Sequence, residues 1–173
     1  MTVKTVLAGL GSLLLSGPLA AADLLAAGEP FPAWKLLDHK GTPVKSDDLR
    51  GKTYLLWYYP KAMTPGCTKE GCTIRDSFAE FTKRGVEVFG VSFDDPKNNA
   101  EFVSKHGFPF RLLSDTERAL AVQVGAADSP KRLFARRISY LVGGDGKVLK
   151  AYADVDPSQH AGEVLADIDS LSP

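Results

Sequence analysis

Thr53-Tyr54-Leu55-Leu56-Trp57-Tyr58-Tyr59-Pro60 runs directly into Lys61-Ala62-Met63-Thr64-Pro65-Gly66-Cys67-Thr68-Lys69-Glu70-Gly71-Cys72. The first run is continuously apolar, aromatic or β-branched, with no polar alternation until Pro60 stops it. A strand of that composition is buried on both faces, as in a sheet covered by helices on each side. Pro60 cannot continue the ladder. Thr64 then supplies an N-cap residue and Pro65 suits the first helical position, which puts Cys67 at the third.

Working outward, the helix starting at Pro65 is predicted to continue to about Arg84, with Ile74, Phe78 and Phe81 at helical spacing and Gly85 closing it. Val86–Ser92 reads as a second strand, Pro96–Lys105 as a helix ended by His106-Gly107, and Phe110–Leu113 as a short strand. Asp115–Val122 reads as a short helix that Ser114 can cap. Upstream, Trp34–Asp38 and Thr42–Val44 flank His39-Lys40-Gly41 as a hairpin. Downstream, Ile138–Val142 and Lys147–Tyr152 flank Gly143-Gly144-Asp145-Gly146 as another. Pro157–Leu171 is predicted as a terminal amphipathic helix. Strands alternating with helices give an α/β sandwich, and the late hairpin makes its sheet mixed.

The chain has 173 residues, enough for one domain of ordinary size. Its 21 Lys+Arg balance its 21 Asp+Glu, which argues against a nucleic-acid or polybasic membrane-surface protein. Two cysteines exclude a disulfide-dense mini-protein and a four-cysteine zinc site, and no metal or cofactor is implied. The first residues form a separate unit. Lys4 precedes the apolar run from Thr5 to Leu15, Ser16-Gly17-Pro18 break it, and Ala20-Ala21-Ala22 supplies the small residues of an A-x-A cleavage site. This is the three-part pattern of a secretory signal peptide. Residues 1–22 are therefore expected to be a leader and residues 23–173 the working domain, exported and periplasmic, without stable membrane association. Outside the cytoplasm a disulfide can persist.

The chemistry centres on the two cysteines. A thiol in the first turn of a helix faces free backbone N–H groups and the positive end of the helix dipole, both of which favour a thiolate. An ordinary thiol is about 3% ionised at pH 7, so complete ionisation gains only about 30-fold in rate. Rapid thiol chemistry must come mainly from donors that stabilise the transition state. Cys72 lies five residues beyond Cys67. Positions i and i+5 of a helix have Cα atoms roughly 8–9 Å apart on different faces, whereas a disulfide needs about 4.4–6.8 Å. A bridge between them requires the helix to open. Gly66 and Gly71 are expected to make that opening cheap, each weakening the helix by up to about 1 kcal/mol relative to Ala. The spacing is not that of a thioredoxin-type dithiol. Two other readings stay open from the residues alone: a thiol–disulfide oxidoreductase, and a non-catalytic binding module with a Cys67–Cys72 staple.

Pro60-xxx-Thr64-xx-Cys67 resembles the active-site signature of the peroxiredoxins. The fuller string from Tyr59 to Cys72 is similar to the bacterioferritin comigratory protein, or peroxiredoxin Q, branch, and the similarity runs from about Gly28 to the terminal helix. The resemblance implies a thioredoxin-like fold that reduces hydrogen peroxide and organic hydroperoxides. It implies Cys67 as the peroxidatic thiolate that becomes a sulfenic acid, and Cys72 as the resolving thiol that closes an intramolecular disulfide. Thr64 would hydrogen-bond the thiolate and the peroxide, and Pro60 would shield the sulfenate. Arg137, at the start of the strand Ile138–Val142, would hold Cys67 ionised and orient the peroxide, while adjacent Arg136 points the other way. Glu70 would help to hold the hydrogen-bond network. The resemblance also implies a thioredoxin-like protein reductant and a monomer, since Cys72 lies on the same helix as Cys67. A leader peptide is unusual in this branch and leaves the reductant open. His39, His106 and His160 read as solvated surface residues.

Overall fold

The computed structural model describes residues 24–171; the expected leader, residues 1–22, lies outside the described residues. The elements in chain order are β1 (Lys35–Asp38), β2 (Pro43–Lys45), β3 (Thr53–Tyr58), α1 (Pro65–Asp76), α2 (Phe78–Lys83), β4 (Val86–Ser92), α3 (Pro96–His106), β5 (Arg111–Ser114), α4 (Ala119–Gln123), β6 (Ile138–Val142), β7 (Val148–Tyr152) and α5 (His160–Leu171). The strands form one seven-stranded sheet in the order β2-β1-β5-β4-β3-β6-β7. The β3–β4 and β4–β5 pairs are parallel, and β3–β6, β6–β7, β1–β2 and β1–β5 are antiparallel. The expected mixed α/β architecture, thioredoxin-like, is the one observed.

The continuous apolar run from Thr53 is β3, flanked by β4 and β6 inside the sheet. Its side chains alternate between two cores. Tyr54, Leu56 and Tyr58 face a layer containing Phe31, Trp34, Phe89 and Tyr140, closed by α4. Leu55, Trp57 and Tyr59 face the other layer, into which α1, α2, α3 and α5 send Ile74, Phe81, Phe102 and Val164. Both faces are needed to bury a segment in which Leu55 through Tyr58 of β3, and Tyr59 just beyond it, are all 0% exposed.

Three boundaries differ from expectation by more than a single residue. The helix from Pro65 breaks at Ser77 (φ −99°, ψ 4°) into α1 and α2. Ile74 and Phe81 stay fully buried on either side of the break, so the apolar spacing runs through it and hides it. The helix expected over Asp115–Val122 is shorter, α4, and Ser114 does not cap it. Ser114 belongs to β5, opposite Ser92 and Leu37. Asp115 does the holding instead, its Oδ2 accepting from Ala121 N at 2.8 Å and from the Tyr58 hydroxyl at 3.1 Å. The terminal helix starts at His160 rather than Pro157, because Asp156 Oδ1 first ties up Ser158 N in a turn (2.8 Å).

Candidate active site

β3 delivers the chain to Pro60, and five residues later α1 begins. Ala62 N is fixed by Asp94 Oδ2 at 2.9 Å. Met63 adopts a left-handed conformation (φ 64°), one of two such non-glycine residues among those described, and this turn aims the chain into α1. Thr64 occupies the N-cap position in an extended conformation, but its side chain does not cap the helix. The Thr64 hydroxyl donates to Lys61 O at 2.8 Å instead, closing the loop on itself. Its single proton is thus committed away from Cys67, and the expected bond from Thr64 to the thiolate is not the one formed in this state.

Cys67 and Glu70 lie one turn apart on α1, and both are 0% exposed. The antiparallel pairing of β3 with β6 sets Ile138 opposite Tyr58, so the residue before β6 arrives beside the end of β3. That residue is Arg137. Its Nη2 lies 3.4 Å from Cys67 Sγ, and its Nη1 donates to Glu70 Oε2. One guanidinium therefore serves a sulfur and a carboxylate at once. Gly66 makes room for it: a Cβ there would come 3.1 Å from Arg137 Nη2. Burial pushes the Glu70 carboxyl up to about 7, with the Arg137 charge and hydrogen bond pulling against it. Arg136 goes the other way, as expected, with Nη1 on Gly125 O at 3.2 Å.

Cys72 is half-buried further along the same unbroken helix, and both thiols are free. Pro60 borders a depression of about 270 Å³ shared with Lys61, Asp94, Leu133 and Phe134. Nearby, Met63, Leu133 and Phe134 present apolar surface to solvent. The structure thus brings Cys67, Glu70 and Arg137 into direct contact. Pro60 and Thr64 frame the loop, and Cys72 waits on the helix.

Two expectations need correction. Gly71 is not simply a helix weakener: a Cβ there would meet Phe108 Cζ at 2.6 Å, so the residue is small because an aromatic ring packs on it. His160 is not a solvated surface residue. It is fully buried, with Nε2 2.9 Å from Ser139 Oγ and 3.9 Å from Glu70 Oε1. Sequence reasoning missed it although a signal was present. His160, Val164 and Ile168 recur every four residues on the buried face of α5.

Residues 27–151 match the AhpC/TSA family model. The chain is 37% identical over 146 residues to the peroxiredoxin Bcp of Escherichia coli (strain K12), covering 82% of this chain and 94% of that one. Among solved structures it superimposes on peroxidoxin BcpB of Mycobacterium tuberculosis with a TM-score of 0.79 and 30% identity, covering 85% of this chain and 98% of that one. It also superimposes on the bacterioferritin comigratory protein of Xanthomonas campestris, studied for its alkyl peroxide reduction, with a TM-score of 0.77 and 30% identity over 84% and 98% of the two chains. A buried first-turn cysteine under an arginine, carried on this sheet and matched over nearly the whole described chain, places the protein in the AhpC/TSA family as a thiol-dependent peroxiredoxin of the Bcp/peroxiredoxin Q type.

Proposed function

We propose that this chain is an exported peroxidase that reduces hydrogen peroxide and organic hydroperoxides through Cys67 and Cys72. The observation that carries the reading is the single Arg137 guanidinium held between Cys67 Sγ and Glu70. The Cys67 thiolate attacks the nearer peroxide oxygen. An S–O bond forms, the O–O bond breaks, and the departing alkoxide or hydroxide takes a proton from water to leave as alcohol or water. The positive charge of Arg137, 20% exposed at its side chain, sits where negative charge passes from sulfur to oxygen. The sulfenic acid at Cys67 then condenses with the Cys72 thiol, releasing water and forming a disulfide. A dithiol reductant of thioredoxin type restores both thiols. Cys72 shares α1 with Cys67, so one chain suffices for the cycle.

Export rests on the leader pattern of residues 1–22. The AhpC/TSA match covers residues 27–151, which leaves residues 1–22 free to serve as the leader proposed here. The test of the chemistry is anaerobic reduction followed by one equivalent of peroxide, with thiol counting and mass spectrometry. A peroxidase loses two thiols per chain. A chain that ignores peroxide but reduces insulin disulfides is an oxidoreductase, and one that does neither is a binding module. For export, the mass of protein from an envelope fraction should begin at Asp23; a full-length chain confined to cytosol overturns that part.

A further inference from the structure

Behind the Glu70 carboxyl lies a buried polar group that the scheme above does not use. Arg137 occupies Glu70 Oε2, whereas Oε1 has no hydrogen-bond partner among the described residues and faces His160 Nε2 at 3.9 Å. His160 opens α5, with its Nε2 on Ser139 Oγ, two residues beyond Arg137 in the chain. Its Nδ1 is buried without a partner, and its ring stands edge-on to Tyr152 at 5.3 Å. A proton on Nδ1 would be a stranded buried donor, costing about 1–3 kcal/mol. A proton on Nε2 serves Ser139 Oγ at 2.9 Å and sets the positive end of the N–H dipole 3.9 Å from the free oxygen of Glu70, beyond hydrogen-bond length but within reach of its field. Burial and the Arg137 charge press the His160 ionisation down to about 4, so the ring is neutral at ordinary pH. The other charged or titratable groups around the pair are Cys67 on α1, Arg137 before β6 and Tyr152 on β7. The Tyr152 hydroxyl donates to Asp167 (2.9 Å), which also pairs with Lys150.

We propose that His160 is a positioning residue of the peroxidase: its Nε2–H, steadied by Ser139, holds the free oxygen of Glu70, and through Glu70 it holds Arg137 Nη2 on Cys67 Sγ. This rests on the peroxidase reading of Cys67. The logic is geometric. A carboxylate gripped at one oxygen can swing about that contact, and a dipole at the other oxygen removes the freedom. The guanidinium then keeps its direction toward the sulfur, and a misplacement of about 1 Å in such a group can cost on the order of 10²-fold in rate. A second contact lies in the same place: Thr73 Oγ1 of α1, 2.9 Å from Glu70 O in its own helix, is shared with Pro157 O at 3.2 Å, in the turn before α5. The helix that carries the nucleophile is thus docked onto the start of α5 at two points.

The experiment compares wild type with His160→Leu, His160→Gln and Ser139→Ala. The rate of the reduced protein with hydrogen peroxide is followed from pH 5 to 8. The Glu70 carboxyl is titrated by carbon-13 NMR, with Glu70→Gln identifying its signal. His160→Leu is expected to slow the reaction about 10-fold or more and to move the Glu70 titration upward, because an apolar group replaces the dipole. His160→Gln, whose amide can present an N–H near the lost Nε2, is expected to restore most of the rate and return the titration. Ser139→Ala leaves the imidazole proton to Glu70 alone and is expected to move the titration downward, which keeps the proposal testable if His160→Leu does not fold. A His160→Leu protein that reacts at the wild-type rate overturns the proposal. So does one that slows with an unmoved Glu70 titration and no rescue by Gln. If wild type itself does not consume peroxide, the peroxidase reading falls; the Glu70 titration in the variants then decides by itself whether His160 holds that carboxyl.

Discussion

The ring of Phe108 lies against the backbone of Gly71, closely enough that a Cβ on Gly71 would come within 2.6 Å of Phe108 Cζ. The ring cannot step aside easily. It stacks on Phe110 at 5.1 Å and meets Phe102 edge-on at 4.9 Å. Gly71→Ala is therefore expected to destabilise the protein by about 1–3 kcal/mol through overpacking, outweighing the gain of up to about 1 kcal/mol in helix propensity. Denaturant midpoints measure this, and amide exchange across residues 65–76 should speed up. A raised midpoint would show that the Phe108 ring yields.

Cys67→Ser should abolish peroxide consumption. Cys72→Ser should still perform one turnover and leave a sulfenic acid on Cys67, which a dimedone-type trap would label. Trapping at Cys72 in the wild-type protein would reverse the two roles.

Arg137→Met should slow the peroxide reaction by about 10²-fold or more, the scale for removing a donor that stabilises developing charge. It also leaves Glu70 buried without its cation, so melting temperature must be measured beside rate. Arg136→Met should stay near the wild-type rate, since that guanidinium reaches Gly125 O, away from the sulfur. Rate constants from stopped-flow mixing settle the comparison. A severe Arg136 variant beside a mild Arg137 variant would exclude this assignment.

Two buried groups should pull stability in opposite directions with pH. Glu70 is held near 7 against an ordinary 4.5, so between those values the folded chain keeps a proton that the unfolded chain has lost. Its contribution falls as pH rises through that window, by roughly 3 kcal/mol in all. His160 is held near 4 against 6.5, so the unfolded chain takes up its proton first as pH drops. Its contribution falls as pH is lowered from 6.5 toward 4. In wild type the two slopes largely cancel across their overlap. Relative to wild type, Glu70→Gln should gain stability as pH rises from 4.5 to 7, and His160→Gln should gain it as pH falls from 6.5 to 4. Urea unfolding across this range tests both, and curves parallel to wild type would rule the coupling out.

The sequence made some of this legible and hid the rest for identifiable reasons. β3 could be read because its apolar character is continuous and local, and Cys67 because Thr64 and Pro65 mark a helix start. Arg137 could be placed only through resemblance, since nothing within its own stretch announces a sulfur across the sheet. The break at Ser77 was hidden because Ile74, Phe78 and Phe81 keep their spacing through it. The purpose of Gly71 depends on Phe108, a contact made only by the fold. His160 was misjudged because a histidine taken singly reads as polar surface, although its spacing to Val164 and Ile168 put it on the buried face of α5.

Glu70 lies between Cys67 and Cys72 on α1, so any unwinding that joins the two sulfurs carries this carboxyl away from Arg137 and His160 as well. In water it becomes an ordinary acid and gives up the proton that its burial retains. Between about pH 5 and 7 each oxidation would then release more protons than the thiol chemistry alone accounts for, and each re-reduction would take them back. The enzyme's electron traffic would carry a proton toll set by one glutamate. Acid conditions would favour the reduced, peroxide-ready form more than a bare dithiol would allow.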